Sequence, residues 1–331
     1  MTCATRFAFG QRGPGTETPL VIGLVNNMGL RAMRSAERQF RALIRSASNE
    51  TPVELKLFTL HDTPPAPLGR DDAPDAYSPI DALWDSGVDA LIVTGMEPRM
   101  SRLQLEPSWK NFARLIDWAT RRRIPTVWSC LAAHAAVCYL DGIERVPLTV
   151  KRSGIFRCHR LGDHHPLMTG MPRFWDCAHS RSNDLPAAAL VDHGYEILSR
   201  SDQAGVDIFT RSDDAPALFF QGHPEYAPDT LLREYLRDVQ RYLNGEGSDY
   251  PTIPTGYLDE ATTARLLDLR SEAKAGTEGD LMTRIMVVAK DIAPPDIGSE
   301  LAVQLYRNWL GLIRNAGSSA STVAKVPAHA R

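Results

Sequence analysis

The sequence predicts an α/β protein whose doubly wound, mostly parallel sheet is flanked by helices. Two observations lead to this prediction. Short apolar runs, typical of strands buried on both faces, alternate with helical segments in the order β-α-β, a proline-rich excursion, and then β-α-β-α. The last of these strands turns at once into an alanine-rich helix at Cys130. Ligands of such sheets bind beyond the carboxyl ends of the strands, and Cys130 follows one of those ends.

The first half of the chain supplies the alternating elements. Strands are predicted at residues 19–25, 53–60, 90–93 and 124–129. Helices are predicted at residues 31–48, 109–123 and 131–140. The proline-rich residues 61–79 are predicted to form a long surface excursion. The second helix ends in three arginines, Arg121 to Arg123, which we interpret as a solvated helix end.

From Pro147 the segments become shorter and predict an antiparallel addition to the sheet. Residues 151–156 and 174–183 are such segments, and the candidate strands of the addition are residues 197–199, 206–210 and 217–220. A helix is predicted at residues 230–243, because its apolar side chains recur at helical spacing. Two more helices are predicted near residues 259–274 and 299–313.

These elements divide the chain into four parts. Residues 1–18 are predicted to be a flexible lead, and residues 19–244 the main α/β domain. Residues 245–315 are predicted to be a C-terminal helical extension that packs on the same domain. The Ser/Ala-rich residues 316–331 are predicted to be a disordered tail.

Composition and charge exclude several classes of protein. With 37 basic and 40 acidic residues among 331, the net charge of −3 gives no electrostatic footprint for nucleic acid or a membrane surface. No run approaches the roughly 18 apolar residues of a membrane span, and no apolar signal-peptide core is present, so we expect a cytoplasmic protein. The five cysteines form no CxxC pair, so neither a disulfide framework nor a metal site is predicted. The oligomeric state stays open, a homodimer included.

Cys130 is the candidate nucleophile. A side chain at a tight strand-to-helix turn projects from the carboxyl edge of a sheet, and the free N–H groups of the following helix point at it. This setting favours a reactive sulfur. The alternative is a small buried hydrophobic residue, since free cysteine is often buried. Gly95 follows another predicted strand end, where glycine lets the backbone approach a ligand closely.

A cysteine nucleophile needs a base and a group that orients the base. His223 and Glu225 leave an apolar strand as H-P-E, two residues apart and therefore on one side of an extended backbone. We interpret them as the base and its orienting acid. His134 is the alternative base, because it lies one helical turn after Cys130, although this position is more typical of a packing residue.

These residues lie in a pattern that resembles the homoserine O-acyltransferase family, the homoserine trans-succinylases, which have a class I glutamine-amidotransferase-like fold. The matching blocks are IVTGMEP, WSCLAAHAA, KRSGIF, AHSRSND and GHPEYAPDTLLREYLRD, and more faintly LYRNWL. The resemblance covers most of residues 19–243. It implies acyl transfer through a thioester on Cys130, with His223 as general base and Glu225 orienting it. Acyl-CoA is then a co-substrate, and no cofactor is expected.

The resemblance also implies a set of substrate-binding residues. Lys151, Ser180 and Arg237 match the family's binding lysine, serine and arginine, and these residue types suit a zwitterion such as homoserine. The backbone N–H groups of Gly95 and Leu131 are expected to hold the oxyanion.

Arg99 matches the position that correlates with the acyl donor in the family, where relatives have glycine or glutamate. A guanidinium can pair with the terminal carboxylate of a succinyl group, so succinyl-CoA is favoured over acetyl-CoA. The alternative is that Glu97 neutralises Arg99 within the same loop. The sequence departs from the family at TGMEPR, where TGAP is usual, at Leu131, where tryptophan is common, and at residues 26–40.

Three hypotheses stay open at the level of sequence. The first is acyl transfer to homoserine, a step toward methionine, or to serine. The second is glutamine amidotransfer or amide hydrolysis, because that fold uses the same cysteine, histidine and glutamate. The third is an inactive binding module, in which the Cys130 sulfur would be buried away from His223.

Overall fold

The computed structural model describes residues 18–49, 51–60, 77–162, 164–211, 215–247, 249–274 and 280–323, apart from the side chains of residues 30, 31 and 317–323. Within these ranges ten strands form one sheet: β1 Leu20–Val25, β2 Val53–Thr59, β3 Ser78–Pro79, β4 Ala90–Val93, β5 Thr126–Ser129, β6 Val146–Arg160, β7 Phe174–Asp184, β8 Tyr195–Ser201, β9 Gly205–Arg211 and β10 Ala217–Phe220. The α-helices are α1 Leu30–Ser48, α2 Trp109–Arg121, α3 Leu131–Asp141, α4 Ala187–Asp192, α5 Thr230–Leu243, α6 Glu260–Lys274, α7 Leu281–Lys290 and α8 Ser299–Val323.

The strand order in the sheet is β3-β2-β1-β4-β5-β10-β9-β8-β6-β7. The six strands from β3 to β10 are parallel, and β9, β8, β6 and β7 continue the sheet in antiparallel pairs. The predicted fold class, a mostly parallel sheet flanked by helices with antiparallel additions, is confirmed.

The prediction for residues 217–220 is only half right. This strand, β10, is antiparallel to β9, as the sequence predicts, but it is also parallel to β5 and so belongs to the centre of the sheet. Four apolar residues carry no information about strand direction, so the sequence could not distinguish the two positions. The consequence for the site is large, because β10 brings His223 to the strand end that carries Cys130.

Helices cover both faces of the parallel half, since its strands are apolar on both sides. On one face Ile22 and Leu24 pack with α1 and α8, and on the other Val25 and Leu91 pack with α2 and α3. Residues 131–138 of α3 are all buried. The alanines among them allow this helix to lie close to the sheet and hold Cys130 in place.

The C-terminal helices differ from the prediction in two ways. Helix α7 was missed, although Leu281, Ile285 and Val288 have helical spacing, and it packs with α5 and α6 around a small core of their own. Helix α8 continues to Val323, beyond the predicted start of a disordered tail at residue 316. This stretch is Ser/Ala-rich, and alanine, the strongest helix former, allows the helix to continue. Residues 324–331 lie outside the described residues.

Other predictions fall partly or wholly outside the described ranges. Of the predicted lead, only residue 18 is described. Of the proline-rich excursion at residues 61–79, only residues 77–79 are described, and Ser78–Pro79 forms β3. The segment predicted at residues 151–156 is the centre of β6, which is much longer. Among the described helices, none combines the length and the apolar character needed to cross a lipid bilayer.

Candidate active site

Cys130 occupies the turn between β5 and α3. Its backbone has φ 52° and ψ −115°, a conformation that is uncommon for a residue with a side chain. The turn is held by a hydrogen bond of 2.8 Å from the Cys130 N–H to the carbonyl of Phe220, the last residue of β10. Backbone strain of this kind persists only where the surroundings impose it, and it often marks a functional site. The side chain is partly exposed, so Cys130 is not a buried hydrophobic residue.

The backbone of Gly95 lies directly against this turn. A Cβ atom on Gly95 would come within 3.0 Å of the Leu131 nitrogen and 3.3 Å of the Cys130 Cβ, so only glycine fits here without displacement. Leu131 is the first residue of α3, and an N–H at that position has no acceptor in its own helix. Two backbone segments that can donate N–H groups therefore border the sulfur.

Hydrogen bonds between Asn27, just beyond the end of β1, and Thr94, at the end of β4, fix the backbone that leads into Gly95. The Asn27 N–H donates to Thr94 Oγ1 at 2.8 Å, and the Asn27 side-chain amide donates to the Thr94 carbonyl at 3.0 Å. Thr94 Oγ1 in turn donates to the Gly95 carbonyl at 3.0 Å. Both side chains are buried, so this network holds the Gly95 backbone in one position beside Cys130.

His223 and Glu225 form a buried pair beyond β10. The His223 Nδ1 lies 2.9 Å from Glu225 Oε1, and their side chains are only 9% and 7% exposed. The His223 N–H donates to the Ala178 carbonyl at 2.8 Å, which ties this turn to β7. Glu225 Oε1 also accepts a weaker hydrogen bond of 3.3 Å from Ser129 Oγ, and Ser129 is the residue before Cys130. The carboxylate therefore touches both strand ends.

The charge of His223 depends on its two neighbours. Burial opposes the imidazolium, but the Glu225 carboxylate and Cys130 together raise the pKa of His223 well above its ordinary value. Under strict hydrogen-bond geometry, the buried His223 Nε2 has no partner among the described residues. Cys130 raises the pKa of the ring both through its charge and through a looser side-chain hydrogen bond, so Nε2 is the nitrogen that is free to exchange a proton.

His134, the alternative base, has a different environment. Its Nε2 lies 3.0 Å from Gln221 Oε1, and Gln221 is itself fixed by bonds to the Leu185 N–H and the Val206 carbonyl. Burial is the main cause that lowers the pKa of His134 to about 3, so the ring stays neutral. This is the setting of a packing residue under the turn, and it favours His223 as the base.

Tyr226 connects the histidine to the residues of α5. Its ring stacks on that of His223, with centroids 4.2 Å apart and planes inclined by 19°. Its hydroxyl donates to Glu234 Oε1 at 2.7 Å. Burial and the Glu234 carboxylate raise the pKa of Tyr226 well above its ordinary value, so the hydroxyl keeps its proton and its bond to Glu234.

Two acids of α5 bring the predicted substrate-binding residues together. Ser180 donates to Glu234 Oε2 at 2.5 Å, while Lys151 Nζ donates to Asp238 Oδ2 at 2.9 Å. Arg237 Nε donates to the other oxygen of Asp238 at 2.8 Å. The three residues thus lie in one polar group, which Glu234 and Tyr226 link to His223.

Arg99 lies on the exposed loop that follows Gly95. Its backbone N–H donates to Glu106 Oε1 at 2.8 Å. Glu97 forms its ion pair with Arg241, at 2.6 Å, and not with Arg99. The alternative in which Glu97 neutralises Arg99 is therefore contradicted, because the helix α5 supplies a different cation.

A buried cluster near the turn at His223 has residue types that could bind a metal. The ligand atoms of Cys158, His179 and Asp207 lie within 4.8 Å of one another. However, the guanidinium of Arg181 donates to His179 Nδ1, which requires a lone pair there and puts the ring proton on Nε2. Burial and Arg181 also lower the pKa of His179 well below its ordinary value. With Nε2 protonated, the ring has no lone pair for a metal, and we interpret the cluster as a support.

This cluster supports Gly222, the residue before His223. A Cβ on Gly222 would lie 2.4 Å from Asp207 Oδ1, 2.8 Å from Cys177 Sγ and 3.0 Å from His179 Cε1. Asp207 and His179 are fully buried, so neither can move aside into solvent. The H-P-E turn thus rests on packed polar side chains.

Sequence reasoning missed Tyr226, Glu234 and Asp238 as members of the site. A signal was present on α5: Glu234, Arg237, Asp238 and Arg241 have the spacing i, i+3, i+4, i+7 of one helix face. Such a charged stripe is usually a solvated face, which is why it was not singled out. The residues around Gly222 come from two strands, β7 and β9, that are separated in sequence from each other and from Gly222, and no local pattern indicates their contact.

The chain is similar to known proteins over most of its length. A family profile described as homoserine O-succinyltransferase matches residues 14–313. The chain is 45% identical to a homoserine O-succinyltransferase of Methylorubrum extorquens over 89% of this chain and 87% of that protein. It is 44% identical to one of Rhodopseudomonas palustris, over 87% and 86% of the two chains. A solved glutamine amidotransferase from Methylobacillus flagellatus is 16% identical with a TM-score of 0.48, covering 89% of this chain and 95% of that one.

We expect Gly222→Ala to lower both stability and activity. The added methyl would overlap Asp207 Oδ1, and overpacking of this kind costs about 1–3 kcal/mol. Thermal unfolding and turnover measure the two effects. Gly247→Ala is the matched control, because nothing lies within 4 Å of a Cβ at Gly247. Equal behaviour of the two variants would show that the Gly222 contact is not restrictive.

We expect Glu225→Gln to lower the pKa of His223. The carboxylate is the main group that favours the imidazolium, so its loss removes the largest cause that raises the pKa of His223. An NMR titration of the His223 ring measures the change. Asp192→Asn is the control, because Asp192 is an exposed carboxylate, and it should leave the His223 titration as in wild type. A pKa that stays in place in Glu225→Gln would contradict the role of Glu225.

Proposed function

The chain belongs to the homoserine O-succinyltransferase family, and on this premise we propose that it transfers a succinyl group from succinyl-CoA to the hydroxyl of L-homoserine through a thioester on Cys130. The observation that carries the proposal is the meeting of the strained Cys130 turn with the buried His223–Glu225 pair. This combination supplies a nucleophile, a base and an orienting acid at one sheet edge.

In the first half-reaction Cys130 gives its proton to His223, and the sulfur attacks the thioester carbonyl of the acyl-CoA. The carbonyl oxygen becomes an oxyanion, which the N–H groups of Gly95 and Leu131 stabilise. The carbon–sulfur bond to CoA then breaks, and the CoA thiol leaves with a proton from His223. The raised pKa of His223 suits this step, because the ring is protonated when the leaving group needs a proton.

In the second half-reaction His223 is the general base. Its Nε2 takes the proton of the homoserine hydroxyl, and the hydroxyl oxygen attacks the acyl carbon on Cys130. The thioester bond breaks, the ester leaves, and the Cys130 sulfur is restored. Glu225 holds the ring through Nδ1, so Nε2 faces the reacting atoms in both steps.

The polar group around α5 suits the acceptor. Homoserine is a zwitterion, and Arg237 and Lys151 offer cations for its carboxylate, while Glu234 and Ser180 offer oxygens for its ammonium. In the free protein these charges pair with one another, so the site is already close to neutral. Binding of a zwitterion then exchanges partners without leaving an unpaired charge.

The acyl donor is proposed from Arg99. Its side chain is exposed and takes part in no ion pair among the described residues. It follows Gly95 by four residues, on the loop that borders the Cys130 turn. A free guanidinium there favours a donor that ends in a carboxylate, as succinyl-CoA does and acetyl-CoA does not.

We expect Cys130→Ala to abolish acyl transfer. The wild-type protein mixed with succinyl-CoA should gain the mass of one succinyl group, and L-homoserine should discharge it, as measured by intact-mass spectrometry. The variant should form no adduct and lose about 10³-fold or more in turnover, because the nucleophile is absent. Cys138→Ala, in the helix that follows Cys130, should still form the adduct. Turnover that survives in Cys130→Ala would exclude the covalent route.

We expect Arg237→Lys to raise the KM for homoserine about tenfold, since a single ammonium replaces a planar fork of donors. Steady-state kinetics with homoserine as the varied substrate measure this. Arg233→Lys is the control, because Arg233 lies one turn earlier on α5 and pairs with Asp229 at the surface. A KM that is unchanged in Arg237→Lys would remove Arg237 from the acceptor site.

A further inference from the structure

Two buried charged side chains hold the backbone of the loop that borders Cys130. Glu106 Oε1 accepts hydrogen bonds from the N–H groups of both Arg99 and Met100, each at 2.8 Å. Arg145 Nη2 donates to the carbonyls of Met100 and Ser101, at 2.7 and 3.1 Å. The residues are only 5% and 8% exposed. A carboxylate thus binds backbone N–H groups and a guanidinium binds backbone carbonyls of the same short stretch, residues 99–101.

Neither charge is explained by an ion pair. Among the described residues, no acid lies within ion-pair distance of Arg145 and no base within that distance of Glu106, and one atom of each, Arg145 Nε and Glu106 Oε2, is buried without a hydrogen-bond partner. Removing such charged groups from water costs free energy, and their hydrogen bonds to the loop are the main interactions that offset this cost. Burial lowers the pKa of Arg145, while Glu106 and Cys130 oppose this shift.

The two side chains come from elements that are fixed relative to the nucleophile. Arg145 follows α3, the helix that begins next to Cys130, and Glu106 precedes α2, which packs against α3. Gln104 adds a further tie, since its amide donates to Cys138 Sγ of α3 at 3.1 Å and to Glu144 at 2.8 Å. The loop is therefore anchored at Gly95 by packing and at residues 99–101 by charge.

We propose that Arg145 and Glu106 are positioning residues that fix residues 99–101 beside Cys130 and so shape the wall against which the acyl chain of the donor lies. This inference rests on the proposed function. It predicts that loss of the hydrogen bonds from either Arg145 or Glu106 to the loop affects the acylation half-reaction and the choice between succinyl and acetyl donors. The acceptor site on α5 is built from other residues and should be unaffected.

The test compares disruptive and conservative variants at both positions. Arg145→Met and Glu106→Leu remove the bonds to the loop, whereas Arg145→Lys and Glu106→Gln keep a donor or an acceptor. Single-turnover acylation by succinyl-CoA and acetyl-CoA is followed by intact mass, and the KM for homoserine is measured separately. Arg102→Met is the control, because Arg102 is on the same loop with a side chain that is 66% exposed.

The disruptive variants should change the ratio of succinyl to acetyl acylation rates about tenfold, with the KM for homoserine within about twofold of wild type. The conservative variants should recover most of the wild-type ratio, and Arg102→Met should match wild type. An unchanged ratio in both disruptive variants would overturn the inference. So would a parallel loss of acylation and homoserine binding, because this is the result of a general structural defect.

A second readout separates this inference from the proposed function. If wild type forms no acyl-enzyme with either donor, the proposed function fails. The rate of Cys130 alkylation by iodoacetamide then tests the positioning role of Arg145 independently of acyl transfer. If Arg145 holds residues 99–101 beside Cys130, its removal should open access to the sulfur. Alkylation should then be faster in Arg145→Met than in wild type and in Arg102→Met. Equal alkylation rates would overturn the positioning role.

Discussion

The site depends on the parallel pairing of β5 with β10. Residues 126–129 align with residues 217–220, and the last bond of this ladder runs from the Cys130 N–H to the Phe220 carbonyl. Parallel strands end at the same edge, so one strand delivers Cys130, the proposed nucleophile, and its neighbour delivers His223, the proposed base. Side chains alternate along a strand, and a shift of one residue in this register would turn these two side chains to opposite faces.

Around this pair, the protein places charges that already have partners. Lys151 and Arg237 share Asp238, Ser180 and Tyr226 share Glu234, and His223 holds Glu225. Partly buried charges of this kind are costly when unpaired. A site arranged in this way is rigid before substrate arrives, which reduces the reorganisation that the reaction would otherwise require.

Sequence predicted the features that depend on local pattern. The buried strands, the helix after Cys130 and the H-P-E turn follow from short runs of residue type, and the fold class follows from their order. Sequence did not predict features set by contacts between distant segments. Whether β10 is parallel to β5, which atoms surround Gly222, and which acid meets Lys151 all depend on tertiary packing. The start of α8 agrees with the prediction, but its C-terminal end lies beyond the predicted one, because a Ser/Ala-rich composition resembles a disordered tail while alanine favours helix.

The position of β10 also has a consequence for how the chain folds. The β9–β10 hairpin is local, whereas its union with β5 joins segments separated by the whole antiparallel addition. Contacts of such long sequence separation form late, because the entropy of closing the intervening chain must be offset first. Cys130 and His223 meet only when this pairing forms. Activity during refolding should therefore return with the last cooperative step, after most secondary structure has formed.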